Sequence, residues 1–329
     1  MSIFEKWKQG FQWMKFQDGI GEPPWDYNYL YNLDKSEYPK YLTKIYKYRT
    51  GNKLPVSFEF KFEKKRGIPK LRVLPVLRAK NCKTFNEKIQ WLKLYDATQI
   101  KRELTDKINV RNYVRKTIGE EYLKPVLQVC NSFEDVCFEK LPNSFVIKCN
   151  HGSKWQFIIK NKEDYLQNKQ LFDLTRKQMK GWLEQDYSFF GGFEMQYNGI
   201  KPRILIEPLM REDINKSSQE IDVFCIKGMP KLIVKIHNEN EITVYDKDFK
   251  ISKNIFENNK KMINIEADDL IKQTFDLSKK LAKGFLLVRV DWMIYQNKIY
   301  FEEMTFTPDS GFNTNFTNME RLNNEFRLN

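Results

Sequence analysis

The stretch Val288-Arg289-Val290-Asp291, followed by Lys298-Ile299-Tyr300-Phe301-Glu302-Glu303-Met304-Thr305, constrains this chain more than any other. Both segments are rich in β-branched and aromatic residues, and Gln296-Asn297 between them suits a tight turn. A hairpin joining Leu286–Tyr295 to Lys298–Met304 is therefore predicted. Side chains alternate faces along a strand, so Arg289 and Asp291 point the same way, and Glu303 and Thr305 likewise share a face on the next strand. Asp291 and Glu303 are 12 residues apart, which sets two carboxylates opposite each other on adjacent strands, beside an arginine. Such carboxylates repel unless a cation sits between them, and oxygen donors completed by phosphate oxygens suit Mg²⁺. An arginine–carboxylate network that only staples the hairpin fits the same spacing.

A second signal is Lys148, which ends the short strand Phe145-Val146-Ile147-Lys148 and is followed by Cys149-Asn150-His151-Gly152-Ser153-Lys154. A glycine and small polar residues after a strand-borne lysine suit a loop that covers phosphates. The loop is not a P-loop, because GxxxxGK[ST] occurs nowhere in the chain. A third is Lys107, at the start of a helix expected over about Lys107–Lys116, which ends near Gly119.

The rest of the chain reads as mixed helix and strand. Phe4, Trp7, Phe11 and Met14 recur at helical spacing in Ile3–Phe16, a basic amphipathic helix that suits either the protein's own core or an anionic surface. Residues 19–78 read as loop-rich and basic, with one strand signature where Phe58, Phe60 and Phe62 alternate with Glu59 and Lys61. Thr84-Phe85-Asn86-Glu87 is a capping box opening a helix over Phe85–Tyr95. Further on come a strand at Trp155–Lys160, a helical stretch at about Lys162–Gln185 and the strand Ile204-Leu205-Ile206. A hairpin of Asp222–Ile226 with Pro230–Ile236 and a helix at about Asp268–Lys283 follow.

Lysine and arginine outnumber aspartate and glutamate by 56 to 43, a net charge of +13, which favours anionic partners without choosing among them. Five cysteines with no CxxC pair, and only two histidines, argue against a zinc site and for free thiols. The first residues run into charge without an apolar core, and no run is long enough to span a bilayer. A soluble cytoplasmic protein is expected.

Taken together and in order, these segments resemble the ATP-grasp fold, and more narrowly the TupA-like ATP-grasp family of bacterial surface-polysaccharide biosynthesis. The resemblance is carried by Phe85-Asn86-Glu87-Lys88-Ile89-Gln90-Trp91-Leu92-Lys93, Asp106-Lys107-Ile108, Gly119-Glu120-Glu121-Tyr122-Leu123, Phe145-Val146-Ile147-Lys148-Cys149-Asn150-His151-Gly152-Ser153, Lys201-Pro202-Arg203-Ile204 and Val288-Arg289-Val290-Asp291. It runs from about residue 80 to Phe312.

The resemblance implies an α/β (α+β) ATP-grasp fold, two lobes clasping ATP, behind a basic N-terminal region. The division it implies is 1–100 for that region, 101–206 for the lobe with the phosphate-binding lysines and glycine loop, and 207–329 for the lobe with the metal-binding carboxylates. Lys107 and Lys148 would hold nucleotide phosphates, and His151, Gly152 and Ser153 would fold over them. Glu207 and Leu209 would contact adenine largely through backbone, and Glu220 would bind ribose. Asp291 and Glu303 would hold Mg²⁺, with Thr305 standing where many members have asparagine. Arg289 would stabilise the charged intermediate, with Lys148 also acting in catalysis.

Three departures stand out: Lys154 replaces a second glycine, Asp222 replaces a lysine, and an arginine is missing after the next strand, where Lys235 or His237 could stand in. The implied function is ATP-dependent ligation of a carboxylate to an amine through an acyl phosphate, in capsular or cell-surface polysaccharide biosynthesis, with a uronic acid as candidate substrate. A sugar or small-molecule kinase is the alternative, ahead of a glycosyltransferase or a non-catalytic scaffold. No nucleic-acid partner is expected; peripheral association with the membrane or with polysaccharide-assembly enzymes fits the basic first helix.

Overall fold

The computed structural model describes residues 33–65, 68–190, 192–211, 218–252, 260–313 and 320–328. The expected helix Ile3–Phe16 lies outside the described residues. The chain packs as two compact units, one of residues up to 97 with 188–196 and 307–329, the other of 98–187 with 197–306. This partition is discontinuous, whereas the division expected from sequence is linear.

The first unit holds helix α1 (Tyr38–Thr50), strands β1 (Val56–Lys65) and β2 (Ile68–Leu77), and helix α2 (Phe85–Tyr95). Pro39 in the first turn and Gly51 at the C-cap, with φ 72°, start and stop α1. Helix α2 opens as its sequence predicts: Thr84 Oγ1 accepts from the Glu87 amide at 3.2 Å, and Glu87 Oε2 accepts from the Thr84 amide at 3.0 Å. Leu42, Ile45, Leu77, Phe193 and Phe312 are among the buried residues of this unit's core. The segment read as loop-rich thus contains a helix and a full hairpin. Prolines at 39, 69 and 75 obscured both, although a first helical turn and a two-stranded ribbon each tolerate proline.

The second unit begins with helices α3 (Gln99–Thr105) and α4 (Val110–Thr117). Its first sheet comprises β3 (Gln128–Cys130), β4 (Phe145–Cys149), β5 (Gln156–Ile159) and, after helices α5 (Lys162–Gln167) and α6 (Lys169–Leu183), β6 (Ile204–Pro208). The strands lie in the order β3-β6-β4-β5, each antiparallel to its neighbours. The single helical stretch expected over 162–185 is two helices. Asn168 leaves helical geometry at φ −80°, ψ 83°, and its side chain caps α6 by accepting from the Leu171 amide at 3.0 Å.

The second sheet comprises β7 (Gln219–Ile226), β8 (Met229–Asn238), β9 (Glu241–Asp246), β10 (Lys261–Met262) and, after helix α7 (Asp269–Leu281), β11 (Leu287–Tyr295) and β12 (Lys298–Thr305). Its order is β10-β9-β8-β7-β11-β12, antiparallel throughout except between β10 and β9. Both predicted hairpins form. Lys227 and Gly228 take φ 51° and 76° between β7 and β8, and Gln296 and Asn297 take 50° and 55° between β11 and β12. Positive φ at both central residues matches the natural twist of paired strands. One face of this sheet packs on α3, α4 and α7 through Leu104, Val114, Leu281, Val290 and Trp292, which leaves the opposite face for polar residues. All five cysteines are free thiols, Cys137 half-buried and the others buried.

Candidate active site

A cleft of about 260 Å³ opens between the two sheets of the second unit, lined from one side by Lys124, Lys148 and Glu207 and from the other by Glu220, Asp222, Arg289, Asp291 and Glu303. The β11–β12 register pairs Asp291 with Glu303 and Arg289 with Thr305, and the β11–β7 register pairs Asp291 with Asp222. Three carboxylates therefore form a row across three strands. Arg289 clamps Asp291 through Nε–Oδ1 at 2.7 Å and Nη2–Oδ2 at 2.8 Å, and its Nε lies 3.6 Å from Asp222 Oδ2. Lys107 Nζ reaches Glu303 Oε2 at 2.9 Å.

Acid is crowded along this row. Burial, with Asp222 and Glu303 close by, pushes the Asp291 carboxyl up to about 8 against the pull of Arg289. Lys107 holds Glu303 down to about 2, against burial. Thr305 Oγ1 lies 3.0 Å from both Asp291 Oδ2 and Glu303 Oε1, yet its single proton can serve only one of them. An added cation would resolve that shortage. The oxygen-only donors suit Mg²⁺, for which two carboxylates plus phosphate oxygens are a usual shell. Among the described residues no group of three or more His, Cys, Asp or Glu side chains forms a ready metal cage, so the protein would supply only part of that shell.

Around Glu207 of the facing sheet the balance is the opposite. Lys148 Nζ pairs with Glu207 Oε2 at 2.7 Å, and Lys124 Nζ pairs with the same oxygen at 3.1 Å and with Glu302 Oε1 at 2.5 Å. Arg111 approaches Glu207 Oε1 at 3.5 Å. Burial opposes charge on Glu207, but Lys148 and Lys124 outweigh it and hold the carboxyl down to about 2. Burial, and then repulsion from Lys124, pushes the Lys148 amine below its ordinary range. The sequence reading gave Glu207 a backbone role against adenine; the structure shows its side chain tying two cleft lysines together. Lys124, Glu302 and Arg111 were not singled out from sequence, because their meaning depends on partners nearly a hundred or more residues away.

Lys107 and Lys148 are set by a third network. Asp106 Oδ1 accepts from the Ile108 amide at 2.8 Å and from Asn150 Nδ2 at 2.9 Å. Asn150 Oδ1 accepts from the Arg203 amide at 2.7 Å, and the Lys107 amide donates to the Asn150 carbonyl at 3.1 Å. The short motifs at 106–108, 148–153 and 201–204 are thus three sides of one knot. Gly152 adds to it by accepting from Lys107 Nζ at 3.1 Å through its carbonyl. A Cβ on Gly152 would lie 2.4 Å from the Trp155 ring, so glycine is needed there for packing.

His151 is buried, with Nε2 3.0 Å from the Trp182 carbonyl and its ring edge-on to Trp155. Burial pushes its pKa below the ordinary range, which suits a neutral ring donating to that carbonyl. His151, Gly152 and Ser153 therefore form the loop beside the cleft, while its walls come from other residues. Lys154, standing for the second glycine, takes φ 60°, the left-handed region that favours glycine. Leu209 lines the cleft, as does Glu220, which accepts from Ser218 Oγ at 3.0 Å and whose carboxyl burial pushes up. Lys235 pairs with Asp268 at 2.6 Å and His237 Nε2 lies 3.0 Å from Thr243 Oγ1, and neither lines the cleft.

A family model described as TupA-like ATP-grasp matches residues 87–323, most of the chain and all of the cleft. The fold and site define the class, an ATP-grasp protein. The chain belongs to the TupA-like ATP-grasp family. No curated protein sequence matches it significantly. Among solved structures it is similar to D-alanine–D-alanine ligase from Bacillus anthracis complexed with ATP, with 18% identity, TM-score 0.37, and coverage of 62% of this chain and 55% of that one. It is also similar to the D-alanine–D-alanine ligase from Helicobacter pylori, with 13% identity, TM-score 0.40, and coverage of 88% and 83%. The chain spans just over half the length of the first of these proteins.

Proposed function

We propose that this protein is an ATP-dependent carboxylate–amine ligase whose cleft holds MgATP between its two sheets. The observation that carries this reading is the acid-rich row Asp222–Asp291–Glu303, with Arg289 and Lys107 at its ends, facing the cationic pair Lys124 and Lys148. Phosphoryl transfer asks a protein for positioning and charge neutralisation more than for covalent help, and this arrangement offers both. Lys107 and Lys148 would bind phosphate oxygens, Glu220 the ribose, and the backbone around Leu209 the adenine. Asp291 and Glu303, with Thr305 between them, would hold Mg²⁺, which when bound supplies positive charge at the transferring group. Arg289 would then turn part of its charge toward a carboxylate substrate, whose oxygen would take the γ-phosphoryl group of ATP with release of ADP, and an amine would attack the resulting acyl phosphate, forming the amide and expelling phosphate.

The substrate we propose is an acidic sugar of a capsular or cell-surface polysaccharide, a uronic acid being the simplest, in keeping with the family and the net charge of +13. A working place at the inner face of the membrane, beside polysaccharide-assembly enzymes, belongs with that reading. Among the described residues no helix is long and apolar enough to cross a membrane.

The test is ADP release from MgATP across a panel of uronic acids and small amines, including hydroxylamine. ADP that requires a carboxylate, with hydroxamate forming, is the expected result. ADP together with a stable phosphorylated product and no hydroxamate would replace the ligase reading with a kinase.

A further inference from the structure

Strands β1 and β2 form a two-stranded sheet with a continuous register from Val56↔Leu77 to Lys65↔Ile68. Cross-strand partners share a face. One face therefore carries Val56, Phe58 and Phe60 from β1 and Leu77, Pro75, Val73 and Leu71 from β2. At its base this apolar stripe enters the core beneath α1, where Leu77 is buried. Farther out no described residue covers it: Phe58 is 61% exposed, Phe60 65%, Val73 51% and Leu71 48%. A folded chain rarely leaves two phenylalanines, a valine and a leucine adjacent and open to water without a use for them.

We propose that this face of the hairpin seats on an anionic bilayer surface. Charge decides the partner. Residues 64–72 hold five lysines and arginines and no acidic residue, so the tip beyond the open phenylalanines is strongly cationic. Anionic headgroups attract such a segment, while the aromatic and aliphatic stripe enters the headgroup–acyl boundary. A second copy of the chain would bring the same excess of cations to the contact. A nucleic acid would need ring faces along the whole open stripe, yet its β2 side carries Leu71 and Val73, which offer no surface for stacking bases. The inference extends the peripheral association proposed above to a named surface and rests on that reading for location alone.

Flotation of the full chain with vesicles tests it. Vesicles of phosphatidylglycerol with phosphatidylcholine should carry the protein, phosphatidylcholine alone should not, and added salt should weaken binding. Phe58→Ser combined with Phe60→Ser should lower the partition coefficient at least roughly tenfold, since it removes two buried aromatic contacts. The double variant should keep the wild-type melting temperature and ADP release, which separates loss of the docking face from failure of the ATP site. Wild-type partitioning by the double variant would overturn the proposal. Equal binding to neutral vesicles would overturn it, as would a lipid-free dimer that the two substitutions dissolve, or binding to single-stranded DNA in preference to the vesicles.

Discussion

The two sides of the cleft bury charge in opposite ways. Around Glu207 of the four-stranded sheet Lys148, Lys124 and Arg111 converge, and Lys124 also reaches across to Glu302 of β12, so this buried carboxylate is amply matched. On the six-stranded sheet three carboxylates share Arg289 and Lys107, and one threonine hydroxyl touches two of them. The first side gathers cations that it can lend to an anion; the second crowds acid, and Asp291 is pushed up to about 8. A nucleotide triphosphate with a divalent cation is complementary to both, because it brings anionic oxygens to one sheet and a metal to the other. The contrast also separates stability from function: removing an acid from the matched side should damage the fold, and removing one from the unmatched side should damage turnover.

The largest effect is expected on the unmatched side. Glu303→Gln preserves size and removes the carboxylate that pairs with Lys107 and, in our reading, binds Mg²⁺. ADP release should fall by roughly 10² to 10³, the cost of losing one preorganised electrostatic contact in a transition state. The melting temperature should fall less than in Glu207→Gln, because losing the Lys107 pair is offset by relief of the repulsion on Asp291. A variant with wild-type turnover would remove Glu303 from the metal site.

On the matched side, Glu207→Gln should act through stability. It leaves Lys148 and Lys124 buried without their shared counter-charge, a defect that typically costs about 3–5 kcal/mol. The sign with pH follows from linkage. Glu207 ionises near 2 in the folded chain against an ordinary 4.5, so its stabilisation is whole above pH 4.5 and is lost as pH falls toward 2. The gap in urea midpoint between wild type and variant should hold steady above pH 4.5 and close below it. A constant gap down to pH 3 would mean that the loss is one of packing rather than of charge.

Lys148→Met asks whether the matched side lends its cations. Losing a charge-assisted contact to phosphate costs about 1.5–3 kcal/mol, so nucleotide affinity should drop roughly tenfold to a hundredfold. Titration with ATP by calorimetry reads this directly. Unchanged affinity would leave Lys148 as a purely structural partner of Glu207.

Which parts of this contrast were legible in the sequence follows from how far each interaction reaches along the chain. The β11–β12 hairpin, its turn and the facing pair Asp291 and Glu303 were legible because alternation and turn chemistry are local. The capping box at Thr84 and the strand carrying Lys148 were legible for the same reason. The Lys124–Glu302 pair was not: it joins residues 178 apart, and a lone lysine before a proline carries no local sign of burial. Gly152 was singled out as a phosphate-loop glycine, while the structure adds a second requirement from the Trp155 ring, three residues away in sequence but visible only once the loop closes on itself. The β1–β2 hairpin was half legible, since phenylalanine alternation marks β1 whereas two prolines disguise β2.

The smallest expected effect is also the sharpest test of the contrast. Asp222→Asn removes one carboxylate from the crowded row. It forfeits a 3.6 Å approach to Arg289 but relieves the repulsion that helps push Asp291 up. The two changes oppose, so without metal the stability should shift by about 1 kcal/mol or less, far below the cost of Glu207→Gln. If the row is short of positive charge, the shift should be toward greater stability, and added Mg²⁺ should then stabilise the variant less than the wild type. Thermal melts with and without Mg²⁺ measure both. A loss of several kcal/mol in metal-free protein would show that Arg289 already satisfies Asp222 and Asp291 together, and the two sides of the cleft would then be matched alike.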